Sequence, residues 1–385
     1  MSSVDRILTT HTGSLPRPGN LSTLIRQREN GELDDATVSR LPTVVEEAVA
    51  TVVRRQVEAG IDIISDGEMS KIDSATYAKE RLTGFAIVNA EVPDGGGLTI
   101  ADLDDYPELA AKSLEGFEIS RPVCVDDIQY TGADLLQLDL DNFDTAARGR
   151  SVEQRFMTAA SPGLIAYYLP NNHYPTLDEY LFALAEAMRT EYEAIVNAGL
   201  TLQIDAPDLA GGRHLQYAHL SDDEFLQRVE VHVEAINHAV ANIDPTKVRV
   251  HLCWGNYQGP HHHDIELEKI IDRILRLSPH GLVFEAANHR HSHEVEVWRQ
   301  TRIPEEKVLI PGVLDTSSVY IEHPKAVAAR ITSFTDIVGR DRVIPGSDCG
   351  FASWATWVAV DPEIAWAKLH TLSEGARLAT ERLWP

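Results

Sequence analysis

The sequence predicts an α/β protein with the architecture of a (β/α)₈ TIM barrel, in which eight parallel strands alternate with helices. Eight short apolar segments recur along the 385 residues, and Gly, Pro, Asp or Ser bound them, as is typical of buried parallel strands. Amphipathic segments, with apolar residues three or four positions apart, separate most of these strands. No G-x-G-x-x-G sequence follows a strand, so the sequence does not support an open dinucleotide-binding sheet.

The predicted elements follow one another in the order that a barrel requires. The predicted strands are residues 7–10, 61–65, 156–159, 201–204, 248–252, 281–284, 308–311 and 343–345. The predicted helices are residues 44–58, 176–198, 223–241, 265–277, 324–337 and 362–380. In the second of these helices, Thr176 and Glu179 have the pattern of a capping box.

Residues 84–147 interrupt the alternation of strands and helices. Within them, the sequence PDGGGLTIADLDDYPE predicts a loop or hairpin, because it is rich in Gly and Asp, and residues 122–130 have the character of an extra strand. We interpret residues 84–147 as an insertion carried by the second βα unit. The sequence shows no low-complexity linker and no internal repeat, which predicts a single domain over residues 1–385.

Composition and charge exclude several classes of function. Hydrophobic residues make up 43% and charged residues 24% of the chain, which are ordinary values for a globular protein. The net charge of −25 argues against nucleic acid and against an anionic membrane surface, because both need a basic protein surface. No signal peptide is visible, and no apolar run approaches the ~20 residues that span a bilayer. We expect a cytoplasmic protein whose partners are small molecules, with homo-oligomerisation left open.

The chain has three cysteines, Cys124, Cys253 and Cys349. An odd and low count predicts no disulfide framework, and the cytosol would keep such thiols reduced. Cys124, in the sequence RPVCVDD, is predicted to be a buried structural residue. The other two cysteines lie near the ends of predicted strands.

Four side chains at strand ends predict a metal site. His251 and Cys253 point to the same side of strand five, because residues i and i+2 of a strand share a face. Glu285 follows strand six and Cys349 follows strand eight, and a barrel brings these strand ends to one rim. Thiolate, imidazole and carboxylate ligands together suit zinc better than magnesium, calcium or manganese. The sequence therefore predicts a zinc site formed by His251, Cys253, Glu285 and Cys349.

Further polar residues lie at the same predicted rim. Glu68 follows strand two and Asp205 follows strand four, where carboxylates bind a substrate ammonium or act as general bases. For the segment SDGEMSK, the alternative is that Asp66 caps a helix and Glu68 faces water. After strand one, His11, Gly13 and Ser14 are candidates to hold a substrate carboxylate or sulfonate, since glycine lets the backbone N–H groups approach closely.

Two histidine-rich segments compete for the metal role, HHHD at 261–264 and NHRHSH at 288–293. Neither contains a thiolate donor, so a role that faces solvent or an anionic substrate is favoured over zinc. The first segment is predicted to be a polar loop in which Asp264 caps the following helix. Arg17, between two prolines, either adds positive charge to the mouth of the barrel or lies on the surface.

Six motifs resemble the C-terminal catalytic barrel of cobalamin-independent methionine synthase. They are TTHTGSLPRP, GIDIISDGE, GLTLQIDAPDL, the His-x-Cys pair, the later glutamate and IPGSDCGF, and they extend from Thr9 to the final helix. The resemblance implies one catalytic barrel with zinc bound by the four donors above and a thiol substrate bound to that zinc as thiolate. It also implies that Gly13, Ser14, Glu68 and Asp205 hold the amino acid substrate.

Three departures from that pattern concern the alkyl donor. The chain resembles the short, single-barrel members, without the N-terminal barrel of the full-length synthases. The usual I-D-E-P reads I-D-A-P, with Ala206 in place of a carboxylate, and Ser317 lies where methionine synthase has a histidine proton donor. Folate activation needs protonation of the leaving nitrogen, so the loss of that histidine puts a folate donor in doubt. The sequence HLCWGNYQGPHHHD and residues 319–324 are similar to short homologues that include epoxyalkane:coenzyme M transferase.

These features predict a zinc-dependent thiol S-alkyltransferase or S-methyltransferase. Zinc deprotonates a coordinated thiol, whose ordinary pKa is around 8.5, and two cysteinates and a glutamate keep its sulfur electron-rich. Two reactions stay open. One resembles that of 5-methyltetrahydropteroyltriglutamate–homocysteine S-methyltransferase, and the other is addition of a thiol to an epoxide, as in epoxyalkane:coenzyme M transferase. A barrel that binds zinc and thiols without turnover is the alternative from another class.

Overall fold

The computed structural model describes residues 5–87, 100–113, 121–355 and 360–385, and these form an α/β fold around a parallel sheet. The sheet has seven strands in the order β1-β4-β5-β6-β7-β8-β9, and every neighbouring pair is parallel. The strands are β1 Ile63–Ile64, β2 Phe85–Ala86, β3 Val123–Cys124, β4 Gln154–Ala160, β5 Thr201–Asp205, β6 Val248–His251, β7 Gly281–Phe284, β8 Val308–Leu314 and β9 Gly346–Ser347. Short β-branched and apolar strands of this kind suit a sheet that is covered by helices.

Twelve α-helices lie within the described ranges. They are α1 Leu21–Glu29, α2 Asp35–Glu58, α3 Ala101–Asp104, α4 Pro107–Ser113, α5 Ala133–Ala147, α6 Pro162–Tyr168, α7 Leu177–Asn197, α8 Asp222–Ala239, α9 Leu267–Ile274, α10 Val295–Gln300, α11 Pro324–Val338 and α12 Pro362–Leu383. The Thr176 hydroxyl accepts from the Glu179 N–H at the start of α7, as predicted, and the full reciprocal capping box forms between Ser221 and Glu224 at the start of α8. Among the helices of the described ranges, none combines the length and the apolar character that a membrane crossing needs.

Residues 7–10, the first predicted strand, lie between the two edges of the sheet but do not form a regular strand. The Ile63 N–H donates to the Thr9 carbonyl at 3.0 Å, and the Thr10 N–H donates to the Pro345 carbonyl at 3.0 Å. Residues 9 and 10 therefore connect the β1 edge to the chain that enters β9. The predicted strand at 343–345 is also only partly regular, since Val343 forms a single bridge to Leu309.

The segment 84–147 contains more helix than its composition predicts. Phe85–Ala86 pairs antiparallel with Val123–Cys124, so residues 122–130 do include an extra strand, outside the main sheet. The prediction of a loop or hairpin at 93–108 is wrong from residue 101 onward, where α3 and α4 lie; residues 93–99 are outside the described residues. Tertiary contacts hold this helix, because the buried Asp102 carboxylate accepts from the Tyr257 hydroxyl at 2.5 Å and from the His263 N–H at 2.9 Å.

Two apolar clusters form the core. The smaller one lies on the face of the sheet away from the helices and contains Leu8, Ile63, Phe156, Val283, Val308, Ile310 and Ile344. The larger one fills the space between the sheet and the helices. Cys124 is fully buried in this larger cluster, where a small apolar side chain fits, and its thiol contacts the Asp126 carbonyl at 3.4 Å. The strands also carry buried polar side chains, since the Arg249 guanidinium donates to Gln203 and Thr10.

Candidate metal centre and adjoining cavities

Three buried side chains at the carboxyl ends of the strands form a compact cluster. The donor atoms of His251, Cys253 and Cys349 all lie within 4.8 Å of one another, and the two sulfurs are 3.6 Å apart without a disulfide bond. His251 ends β6, Cys253 lies two residues beyond it, and Cys349 lies two residues beyond β9. Parallel strands end at one edge of the sheet, which is why residues almost 100 positions apart meet here.

The His251 ring is oriented by a carboxylate and leaves one nitrogen without a partner. Its Nδ1 lies 3.2 Å from Asp205 Oδ1, which also accepts from the Gln203 amide at 2.8 Å. Its Nε2 is buried and has no hydrogen-bond partner in the described structure. A ligating histidine is usually held in this way, with its second nitrogen bonded to a carboxylate. The cluster therefore fits a soft divalent metal, with imidazole and two thiolates as donors.

The protonation of the cluster without metal follows from its contacts. The neighbouring thiol of Cys253 and, to a smaller extent, the His251 ring together lower the pKa of Cys349 to about 5, against the effect of burial. Burial lowers the pKa of His251, but the Asp205 and Cys349 contacts outweigh it and raise the pKa to about 10. The pKa of Cys253 rises well above its ordinary value, because it shares a hydrogen bond with Cys349. These contacts favour negative charge at Cys349 over Cys253.

Glu285 lies beside the cluster rather than within it. Its Oε1 accepts from the Trp254 N–H at 2.8 Å, and its Oε2 accepts from the Asn288 amide at 2.6 Å. It is buried, and burial together with the nearby negative charge of Cys349 raises the pKa of its carboxyl, against the opposing effect of His291. The structure therefore brings together three of the four predicted ligands and holds the fourth through neighbouring groups.

A cavity of about 790 Å³, including its opening to solvent, adjoins the cluster. Its wall includes Ser14, Glu68 and Asp205, together with the three clustered donors. Glu68 has a left-handed backbone conformation, with φ of 60°, and strain of this kind is typical of functional sites. Its Oε1 accepts from the Thr158 hydroxyl at 2.9 Å, whereas the buried Oε2 has no partner in the described structure. Burial raises the pKa of this carboxyl to about 7.

Gly13 makes room for Glu68. Its φ is 129°, which L-residues rarely adopt, and a Cβ at this position would lie 2.7 Å from Glu68 Oε1 and 2.5 Å from the Thr158 methyl group. The sequence reasoning expected Gly13 to bring backbone N–H groups to the substrate. In the structure, its N–H instead donates to the His11 ring at 3.2 Å.

His11 and Arg17 lie behind the cavity wall. The His11 Nε2 bonds to the Gln56 side chain at 2.7 Å, and burial lowers the pKa of the ring to about 3, so the ring is neutral. The Arg17 guanidinium is buried and donates to the carbonyls of Ala352, Glu68 and Lys71. Neither residue is among the described residues that line the cavity; Arg17 holds the backbone of Glu68, which does line it, whereas His11 contacts Gln56 and Gly13.

The histidine-rich segments meet around Asp264, which does not cap a helix. That prediction is wrong because α9 begins at Leu267, after Glu266. Asp264 is buried and its carboxylate lies 3.0–3.2 Å from the rings of His214, His261 and His291. Burying these polar side chains is tolerated because they pair with one another. The local sequence does not reveal this pairing, because it joins distant segments of the chain.

A second, more polar cavity of about 900 Å³ lies on the other side of Cys349. Its wall includes Glu285, His261, His289 and Ser317, and it shares Gly255 and Asn256 with the first cavity. His261 and His289 of the two histidine segments line this second cavity, whereas His291 is buried and bonds to Asp264 and Glu294. The role in substrate contact stays a prediction. The residues that sequence reasoning missed are Asp208, Tyr167, Tyr168 and Trp354, which line the first cavity.

Comparisons with known proteins show the family to which the chain belongs. Residues 7–94 and 169–368 match the model of the cobalamin-independent synthase catalytic domain, so the chain is a member of that family. A methionine synthase of Sulfurisphaera tokodaii is 25% identical over 384 residues, which cover 100% of this chain and 95% of that protein. A methionine synthase of Sulfolobus acidocaldarius is 26% identical over 380 residues, which cover 97% and 93% of the two chains.

Two solved structures share the fold. A B12-independent methionine synthase from a Shewanella species, in complex with selenomethionine, superposes with a TM-score of 0.71 at 19% identity, over 98% of this chain and 99% of that one. A putative vitamin-B12 independent methionine synthase from Listeria monocytogenes has a TM-score of 0.63 at 19% identity, over 97% and 98% of the two chains. The predicted family and the α/β class of the fold are confirmed.

Proposed function

We propose that this protein is a zinc-dependent transferase that moves an alkyl group, a methyl group in the first instance, to the sulfur of a small amino thiol. The observation that carries this proposal is the buried cluster of His251, Cys253 and Cys349, in which His251 Nε2 has no other partner in the described structure. The relatives named methionine synthase, which match along nearly their whole length, support the same reaction class.

Zinc fits the donor set. Two thiolates and one imidazole would hold it, and Glu285 is the proposed fourth ligand, since its carboxylate is buried beside Cys349. When bound, zinc supplies a positive charge that lowers the pKa of a coordinated thiol and keeps its sulfur nucleophilic at neutral pH. Asp205 keeps the His251 ring in place through Nδ1.

The charge of the first cavity favours a thiol that carries an ammonium group. Glu68, Asp205 and Asp208 line it, and among its described lining residues there is neither Lys nor Arg. The carboxylate of Glu68 has an unpaired oxygen that can accept from an ammonium. Homocysteine has such a group, whereas the sulfonate of coenzyme M would face these carboxylates unpaired. We therefore favour homocysteine over coenzyme M, with Ser14 at the carboxylate end of the substrate.

We also propose that the fold is a closed eight-stranded barrel, with one domain over residues 1–385 and an insertion at 84–147. The hydrogen bonds of Thr9 to Ile63 and of Thr10 to Pro345 support closure, because they tie residues 9 and 10 to both edges of the seven-stranded sheet. The separate pair of strands β2 and β3 supports the insertion.

A metal assay and a product assay test the function together. Purified protein should contain about one zinc per chain, and with at least one donor from a panel of alkyl donors that includes methyl-folate and an epoxide it should alkylate homocysteine but not coenzyme M or glutathione, as read by mass spectrometry. Zinc and thiol binding without product from any donor would support the non-catalytic alternative instead. Product formation that survives complete removal of zinc by a chelator would contradict the proposed mechanism.

A further inference from the structure

Three aromatic rings form one wall of the cavity beside the metal cluster. We define this aromatic wall as Tyr167, Tyr168 and Trp354. The two tyrosines end α6, with ring centroids 4.8 Å apart, and Trp354 lies 5.4 Å from Tyr168 at an interplanar angle of 59°. All three are half-buried, so part of each ring is open to the cavity or to solvent. Ring faces carry negative electrostatic potential and attract cations.

The carboxylates of the same cavity add to this negative potential. Asp208 is buried and its carboxylate accepts from the Ser161 hydroxyl at 2.5 Å and faces the His232 ring at 2.7 Å. These contacts fix Asp208 in the cavity wall. With Glu68 and Asp205, it makes three acidic side chains along one cavity.

The nearby cationic side chains are held behind this wall by other partners. The Lys71 ammonium donates to the Thr158 carbonyl at 2.6 Å, and the Arg249 guanidinium donates to Gln203 and Thr10. Arg121 lies 6.0 Å from the Tyr167 ring and donates to the carbonyls of both tyrosines of the aromatic wall. None of these three cations is among the described residues that line the cavity.

We propose that the alkyl donor of this protein is an onium cation, specifically a trialkylsulfonium, held by the aromatic wall and the cavity carboxylates. This inference rests on the proposed function and names its second substrate. The cavity offers one site for the ammonium of the thiol substrate, at Glu68 and Asp205. It offers a second site, at the aromatic wall and Asp208, for the donor cation.

The reaction with a sulfonium balances without a general acid. The thiolate sulfur forms a bond to the methyl carbon, the carbon–sulfonium bond breaks, and its electron pair stays on the leaving sulfur, which departs as a neutral thioether. No proton is needed. This agrees with Ser317, which occupies the position where methionine synthase has a histidine proton donor. The Ser317 hydroxyl itself donates to Asp315 at 2.8 Å. An anion and a cation become two neutral molecules, so a cavity of low dielectric favours the transition state.

The rings would also stack on a flat heterocycle, such as the pterin of a folate, so the test must separate charge from shape. Trimethylsulfonium and its neutral isostere tert-butanol are titrated into the zinc-loaded protein by calorimetry. We expect trimethylsulfonium to bind at least tenfold more tightly than tert-butanol. Trp354→Leu and Tyr168→Leu should each weaken that binding by about 3- to 30-fold, the range of one cation–π contact, while Tyr168→Phe keeps it.

The matched control is Tyr320→Leu, because Tyr320 is 81% exposed and does not line the cavity. It should bind trimethylsulfonium as the unaltered protein does. Equal binding of the cation and its neutral isostere overturns the inference, as does cation binding that is unchanged in Trp354→Leu and Tyr168→Leu. Circular dichroism of each variant excludes a loss of fold as the cause.

Turnover separates this inference from the proposed function. Deuterated trimethylsulfonium with homocysteine should yield labelled methionine and dimethyl sulfide in equal amounts, in a zinc-dependent reaction. If methyl-folate or an epoxide alkylates homocysteine and trimethylsulfonium does not, the donor inference is wrong while the proposed function stands. If trimethylsulfonium gives product without zinc, the zinc dependence in the proposed function is wrong.

Discussion

Replacement of Glu68 by glutamine should stabilise the protein at neutral pH and impair its binding of substrate. Glu68 is buried, strained at φ of 60°, and has one oxygen without a partner in the described structure. Burial raises the pKa of its carboxyl from 4.5 to about 7, against the opposing charge of Lys71. At about 1.4 kcal/mol for each tenfold change, this rise corresponds to about 3 kcal/mol. Such a cost is typical of a functional residue kept in place by its surroundings.

The sign of the pH dependence follows from which state keeps the proton. Below pH 4.5 both folded and unfolded chains carry a protonated Glu68, so the residue costs no stability. Between pH 4.5 and about 7 the unfolded chain releases the proton first, so rising pH favours unfolding. Above pH 7 both states are ionised and the cost stays constant at its maximum. The glutamine variant has no charge to bury and therefore avoids this loss.

Denaturant unfolding between pH 4.5 and 8 measures the effect on the variant and the unaltered protein. The free energy of unfolding of Glu68→Gln minus that of the unaltered protein should grow by about 3 kcal/mol between pH 4.5 and 7 and then level off. Both proteins have the same metal site, so its own pH dependence cancels in the difference. Glu46→Gln, on the exposed side of α2, is the control, and its difference should stay flat.

The same variant tests the role of Glu68 in binding. Loss of a charged partner for the substrate ammonium should raise the KM for homocysteine by about 10- to 100-fold, the worth of one hydrogen bond to a charged group. A difference in unfolding free energy that does not change with pH would refute the argument from burial. A stabilised variant with an unaltered KM would show that the strain at Glu68 serves something other than this substrate.

Three further predictions concern the metal, the turn and the core. Cys349→Ser should lose zinc, measured by mass spectrometry of the metal, together with activity, because it removes one of the clustered donors, whereas Cys124→Ser should keep both. Gly13→Ala should raise the KM for homocysteine and lower the melting temperature, since its Cβ would lie 2.7 Å from the Glu68 carboxylate; an unchanged KM would show that the turn does not shape the site. Asp139→Ala should cost about 1.5–3 kcal/mol of unfolding free energy, because it removes one of the two carboxylates, Asp139 and Glu191, that pair with the buried Arg81 guanidinium, and a loss below 1 kcal/mol in denaturant unfolding would contradict this.

The α/β class and the clustering of His251, Cys253 and Cys349 could be predicted because both depend on local patterns. The alternation of short apolar segments with amphipathic helices indicates parallel strands, and parallel strands end at one rim. His251 and Cys253 share a face by strand parity alone, and Cys349 reaches them because its strand ends at the same edge. These inferences need only the order and spacing of the residues. Local patterns could not predict where the first and last strands are regular, because contacts with the distant residues Ile63 and Leu309 decide this.

Residue types and their spacing specify which chemical groups lie at the rim, whereas tertiary packing selects those that line the cavity. His11 and Gly13 follow a strand end as Ser14 does, yet His11 bonds to Gln56 and is neutral behind the wall. The aromatic wall joins the end of α6 to Trp354, nearly 190 positions away, and no local pattern links them. The physical reason is that burial and the pairing of polar groups depend on contacts between distant elements. Residue type and spacing specify a donor, but only packing decides whether its polar atoms are satisfied by the protein or left open for a ligand.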